Sequence, residues 1–367
     1  MKKIIVLIFL MWLFALPVRA NDSYGEQYEN IVGNKINNAL DEQTRDFFSK
    51  SDIDAKKSTW VNNLTTKNVF SHIWEVITSG AKTPIKSGIL IAAVIFLTAS
   101  LTAFGVVPRF ETAVYAAVLC IGVLIAKDVW QCVSTAVDVV KGCSAFMLAF
   151  VPVFATVVMI SGKTITAASM SALLLGVAEL VSGVSSFAVL PLMGGYLALS
   201  ISSGVSPLFN SSGIVESFKK LSMWIMSLLG TLFIGVLGIQ TAVNSAADSV
   251  ALRTTKFILG TCVPVAGGVL SEAVSTVSTS VGLLRSSIGI YGVVALGIML
   301  IPIVIEIILW RCVLMLDISL SEMFSLAKIS AILRAIDSML SVLLGVVLLV
   351  GGLFIISLSV VVSAGKT

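Results

Sequence analysis

The sequence predicts an all-α polytopic membrane protein of about eight transmembrane helices, with a broken or re-entrant segment among them and a small helical exported domain in front. Three observations predict it. Hydrophobic residues fill 57% of the 367 positions and charged residues only 12%, giving a mean hydropathy of +1.03, outside the range of ordinary soluble chains. Apolar runs recur in blocks long enough to cross a bilayer. Charge is also segregated: residues 21–83 carry 16 charged side chains, whereas the far longer stretch 84–367 carries only 25.

The chain opens with MKKIIVLIFLMWLFALPVRA, two lysines followed by an apolar core from Ile4 to Leu16 and small or modest residues at Val18 and Ala20. These are the parts of a secretory signal over residues 1–20, with cleavage expected after Ala20 and an uncleaved signal anchor as the alternative. Either way residues 21–83 are expected outside the cytoplasm. Within them Ile36, Leu40, Phe47, Phe48, Val69, Ile73 and Val76 recur at helical intervals, which predicts two or three amphipathic helices. So short a region needs a partner or the membrane surface to complete its core. His72, the single histidine, stands beside Trp74 and Glu75 with no second ligand or base in view, so a surface or partly packed role is expected. Asn63–Thr65 fits a glycosylation sequon, a triplet that also arises unselected.

The multispanning domain is expected over residues 84–367. Residues 85–107 and 143–161 read as spans, and 112–126 as a shorter block that can extend through VWQCVSTAVDVV. The run 165–203 accommodates two spans joined near Ser182–Ser186, and 221–243, 288–310 and 339–363 complete the set. Basic residues are nearly balanced between the expected cytoplasmic turns (Arg109, Lys163, Lys219, Lys220, Arg311, Lys328, Arg334) and the outer ones (Lys127, Lys141, Arg253, Lys256, Arg285, Lys366). The leader therefore sets the expected orientation.

The segment KFILGTCVPVAGGVLSEA, residues 256–273, departs from a simple span. Pro264 removes a backbone donor, Gly267 and Gly268 weaken helix propagation, and Glu272 brings a carboxylate into apolar sequence. In its continuation, Leu270, Val274, Val277, Val281 and Leu284 form one narrow helical stripe, and serines and threonines fill the rest of the surface. Two readings follow: a hairpin that enters to Pro264, turns at Ala266–Gly268 and leaves as an amphipathic helix, or a kinked ordinary span.

Glu179 and Glu306 are the carboxylates set deepest in apolar sequence. An intramembrane acid is a functional candidate because its charge is costly there. No cluster of acids or histidines with matching cations surrounds either one in the sequence, so the expectation is a protonated or helix-paired structural carboxyl. Cys120, Cys132, Cys143, Cys262 and Cys312 show neither C-x-x-C nor zinc spacing and read as small buried side chains; a disulfide among the first three is left open. No H-E-x-x-H, G-x-S-x-G or EF-hand pattern occurs, and SGKT at Ser161–Thr164 lacks the opening glycine of a phosphate loop. An enzyme, a metal site and a cofactor are therefore not expected. Nucleic acid is not expected as a partner either, since the net charge is only +4 and no basic run interleaves with aromatics.

The run SAADSVALRTTKFILGTCVPVAGGVLSEAVSTV at 245–277, followed by GLLRSSIGIYG at 282–292, resembles the stage III sporulation protein AE family of endospore-forming bacteria. The layout of signal, short exported domain and multispanning body resembles it too. The resemblance implies a multi-pass protein of the mother-cell membrane surrounding the forespore. It implies partners as well: a secretion-type ATPase, ring-forming subunits facing the intermembrane space and a forespore membrane partner, together building a transenvelope channel needed after engulfment. It brings no catalytic residues. Pro264, Gly267, Gly268 and Glu272 lie in the resembling run and are the candidate conduit or packing elements. A stand-alone secondary transporter or export permease is the rival reading, since discontinuous segments and intramembrane acids also mark transporter sites. The Pro-Gly-Gly element has only a weak counterpart, SGVSPLFNSSG at 203–213, in place of a repeated half.

Overall fold

The structure, a computed structural model, describes residues 36, 38–53, 66–103, 110–160, 164–184, 190–205, 216–225 and 267–363, with a few isolated positions between them. The expected leader, the sequon at Asn63–Thr65, most of the expected span 221–243, the SGKT residues Ser161–Lys163 and the apolar entry through Pro264 lie outside the described residues.

Among the described residues eight helices carry the architecture: α1 (Glu42–Lys50), α2 (Thr66–Gly80), α3 (Lys82–Ala103), α4 (Phe110–Ile160), α5 (Thr164–Val184), α6 (Leu190–Val205), α7 (Gly267–Met323) and α8 (Ala327–Ser363). Among the described residues no strand occurs. Four helical stretches among the described residues are long and apolar enough to cross a membrane: Asn68–Ala103, Thr112–Thr156, Ile288–Met323 and Ala327–Leu358. Their outward faces carry large apolar side chains, among them Ile89, Leu97 and Leu316, as lipid contact requires.

Part of the difference from the expected eight lies in continuity. The blocks 112–126 and 143–161 fall on one helix, α4, of 51 residues, because the amphipathic VWQCVSTAVDVV between them turns Cys132, Val133, Ala136 and Val137 into the bundle instead of breaking. Likewise the hydroxyl-rich stripe 270–284 runs without interruption into the apolar block 288–310, making the 57-residue α7. At 1.5 Å per residue these helices reach about 75 and 85 Å, against a hydrocarbon thickness of about 30 Å. Each is therefore far longer than a single crossing. The joint in the run 165–203 does exist, between α5 and α6.

Close contacts fix how the helices run. Gly80 meets Leu309, Gly88 meets Val313 and Phe96 packs edge-on to Phe324, so the α2–α3 column runs parallel to α7. Gly142 meets Met299 and Gly292 meets Phe150, so α4 runs antiparallel to α7. Gly292 also meets Leu358, Gly351 meets Leu300, and Arg311 pairs with Asp337, which makes α7 and α8 an antiparallel hairpin. The core lies along these seams, with Trp310, Tyr291, Phe146, Phe150 and Phe354 fully buried.

Two local devices punctuate the chain. Pro84 cannot donate to the Gly80 carbonyl, and α2 gives way to α3 there, although Ala81 still donates to Ile77 and Ile85 to Ala81. The α7–α8 turn closes with Ser325 N–H on the Glu322 carbonyl and Leu326 N–H on the Ser321 carbonyl, with Ser325 at φ 56°. That is a Schellman cap, whose left-handed position favours glycine. Asp52, at φ 49°, ends α1 in the same way with Ile53 donating to Phe48.

Two outcomes follow for thermal unfolding in detergent. Ser325→Gly raises the midpoint, because glycine relieves the left-handed strain. Gly88→Ala lowers stability by about 1–3 kcal/mol, as overpacking does, because the new methyl meets the stiff branched side chain of Val313. A neutral Gly88→Ala would show that α3 and α7 do not approach this closely.

Candidate functional site

A cavity of about 510 Å³ opens between α1, α2 and α7. Helical periodicity builds each wall. On α2, Ser71, Glu75 and Ser79 stand at steps of four and line one face. On α7, Pro302 and Glu306 are likewise four apart. α1 supplies Asp46, Phe47 and Lys50. Lys50 pairs with Asp46 at 2.7 Å on the open side, and that carboxylate raises the lysine pKa above its ordinary value, so the lysine stays charged at neutral pH.

The floor is apolar and anchors α1. Phe47 packs against the His72 ring at 4.5 Å with the planes tilted by 41°, and Phe48 sits edge-on to Tyr291 of α7 at 5.1 Å. His72 is thus partly packed, and its Nε2 is buried without a hydrogen-bond partner. Ile36, Leu40, Phe47, Phe48 and Ile53 are all buried. The small N-terminal helices complete their core on the long helices of their own chain.

Pro302 adds a polar feature on α7. It cannot donate to the Ile298 carbonyl one turn earlier, and it does so at the level of Glu306. The cavity thus joins carboxylates (Asp46, Glu75, Glu306), hydroxyls (Ser71, Ser79) and an interrupted helix ladder in one place. Chemically it can accept hydrogen bonds and hold positive charge or water. Among the described residues no group of three or more His, Cys, Asp or Glu is arranged to hold a metal.

The structure separates the residues singled out in the sequence. Gly267 and Gly268 are the first two residues of α7 and Glu272 follows in its second turn, while Pro264 lies outside the described residues. Glu306 lines the cavity, 11 positions from the buried Asp317. Glu179 stands on the exposed face of α5, so its apolar sequence setting does not become a buried one. Cys132 and Cys143 are buried as expected, but Cys120 and Cys312 are exposed, and all four are free. Cys262 lies outside the described residues.

Below the cavity a layer of polar contacts crosses the bundle. Ser87 donates to Asp128 at 2.6 Å, Arg311 Nε donates to Asp337 at 2.8 Å, and Lys219 donates to Ser338 at 2.8 Å. Lower still, Arg334 pairs with Glu322, and Lys328 lies 3.7 Å above the Tyr115 ring. Sequence reasoning passed over Asp128, Asp317 and Asp337. The available signal was their spacing from other polar residues on the same helix face, as in Glu306 to Asp317.

These features define a polytopic, all-helical membrane protein whose polar groups gather at helix seams. The chain belongs to the stage III sporulation protein AE family, whose model matches residues 44–365. It is similar to the stage III sporulation protein AE of Bacillus subtilis (strain 168), with 24% identity over 234 residues, or 64% of this chain and 59% of that relative. The chain thus matches less than two thirds of the relative's length. No solved structure matches it.

The half-buried Arg311–Asp337 pair yields a double-mutant prediction. Asp337→Leu alone destabilises, because it strands a guanidinium among apolar helices. Arg311→Leu with Asp337→Leu recovers much of the loss, as replaced buried pairs do. Additive losses in detergent unfolding would mean that the two groups do not depend on each other.

Proposed function

We propose that this chain is a non-enzymatic membrane subunit of a sporulation-specific transenvelope channel or secretion complex linking mother cell and forespore. In this reading it lies in the mother-cell membrane around the forespore, with residues 21–83 outside the cytoplasm. It assembles there with a secretion-type ATPase, ring-forming subunits and a forespore membrane partner. The observation that carries the reading is the family match over residues 44–365. The four long apolar helices support the membrane setting. An eight-span body with a separate exported domain belongs to the same proposal.

Two experiments test it. Deleting the gene blocks sporulation after engulfment and leaves vegetative growth normal; a growth defect with normal spores overturns the reading. Affinity capture of the intact protein from sporulating cells recovers the ATPase and ring subunits, whereas capture that reproducibly lacks both, with the protein intact in the extract, counts against membership of the complex.

A further inference from the structure

Asp317 is the most enclosed carboxylate described, 4% exposed, and its Oδ2 has no hydrogen-bond partner. The atom faces α3 at Gly88, where a side chain is missing: a Cβ built there would stand 3.5 Å from it. The neighbouring residue, Ser87, donates its hydroxyl to Asp128 of α4. Carrying the antiparallel register of α4 and α7 (Gly142 by Met299, Phe150 by Gly292) down the pair sets Asp128 level with Leu314. Asp128 is then about 5 Å from Asp317 along the helix axis.

The same face of α7 leads to the cavity. Eleven residues at 100° each bring Glu306 back to within about 20° of Asp317, some 16 Å along the axis. The contacts of Leu309 with Gly80 and Val313 with Gly88 show that this face is turned toward the α2–α3 column. Glu306 opens on the cavity with Glu75 and Asp46. A file of acids therefore runs down one seam, from the cavity through Glu306 and Asp128 to Asp317.

The charged neighbours leave Asp317 unneutralised. Arg311 of α7 is engaged by Asp337 of α8, and Arg334 of α8 by Glu322 of α7. Lys82 and Lys86 of α3 are exposed. α4 presents Asp128 at this level, and the Asp46–Lys50 pair of α1, with His72 and Glu75 of α2, lies at the distant cavity. A carboxylate enclosed in apolar helices without a cation is costly, and taking up a proton removes that cost.

We propose that Asp317 is a proton-binding site within the membrane body and that it exchanges its proton with the cavity along the seam between α3 and α7, past Asp128 and Glu306. The step is a plain acid–base exchange: a hydronium ion in the seam gives up a proton, one of its O–H bonds breaking as the carboxyl O–H forms and water is left, and the reverse step returns the proton. Gly88 has a specific part: its lack of a side chain lets α3 come up beside Oδ2, where a Cβ would stand 3.5 Å from that oxygen and against Val313.

The test uses the full chain alone in lipid vesicles, so its outcome is separate from whether the chain assembles with partners. Infrared spectra of protein labelled with carboxyl-13C aspartate show, at neutral pH, a carboxylic-acid carbonyl band shifted by the label. The band disappears in Asp317→Asn. In Asp317→Glu, which keeps a carboxyl and guards against a misfolded asparagine variant, it returns to the unlabelled position. On transfer of the vesicles from H2O to D2O the labelled band moves to its deuterated position, and Asp128→Asn combined with Glu306→Gln slows that exchange several-fold while keeping the band. A labelled band that survives in both Asp317 variants, or none at neutral pH, overturns the binding site. Isotope exchange as fast in the Asp128→Asn, Glu306→Gln variant as in the wild-type chain overturns the exchange route.

Discussion

Backbone amides surrounded by apolar side chains and lipid find hydrogen-bond partners only within their own helix, and this constraint orders the whole molecule. It favours long uninterrupted helices over many short ones, which is why α4 and α7 run on through stretches whose composition invites a break. α7 then becomes the element on which the others are registered. The α2–α3 column lies parallel to it through Gly80, Gly88 and Phe96, α4 antiparallel through Gly142 and Phe150, and α8 antiparallel through Gly351 and Asp337. Where backbones approach this closely, glycine is the residue that permits it, and the seams so formed gather the polar groups.

Helix class, the helical periodicity around Phe47 and Phe48, and the joint between α5 and α6 were legible in the sequence, because apolar spacing reports them directly. Continuity was not. VWQCVSTAVDVV reads as a stretch through which the block 112–126 can extend, not as a bridge to 143–161, yet Cys132, Val133, Ala136 and Val137 share one buried face, and that face lets α4 continue. Glu179 and Glu306 looked equivalent by local hydropathy, which cannot say which way a side chain turns. Neighbouring helices made that choice, leaving Glu179 exposed on α5 and setting Glu306 at the cavity. Asp317 escaped notice because LDIS resembles the end of a span, and its enclosure depends on Gly88, more than two hundred positions earlier.

Family membership and physical structure inform different levels here. The family places the chain in a sporulation setting through a match along most of its length, whereas the arrangement of acids along the α3–α7 seam is a property of this chain's packing. Distinct helix pairs serve distinct electrostatic needs: Arg311 and Arg334 are satisfied within the α7–α8 hairpin, while the acids facing α3 and α4 have hydroxyls or nothing. The two seams therefore differ in how firmly charge holds them. The hairpin is pinned by ion pairs, and the α3 contact rests on shape.

Pro302 has a mechanical meaning beyond its place in the cavity wall. The stretch of α7 before it, from Gly267, is about 50 Å long at helical rise, and the backbone ladder is interrupted at its base. Prolines are where long helices bend, commonly by 20° or more. A bend of about 20° would carry the tip of such an arm roughly 17 Å sideways for its length. Phe150 against Gly292 and Leu300 against Gly351 brace the arm on two sides, so α4 and α8 must travel with it. The hydroxyl-rich end of α7 thus lies about 50 Å from Pro302, so a change of angle at that proline is felt most there and least at Glu306, one turn beyond it.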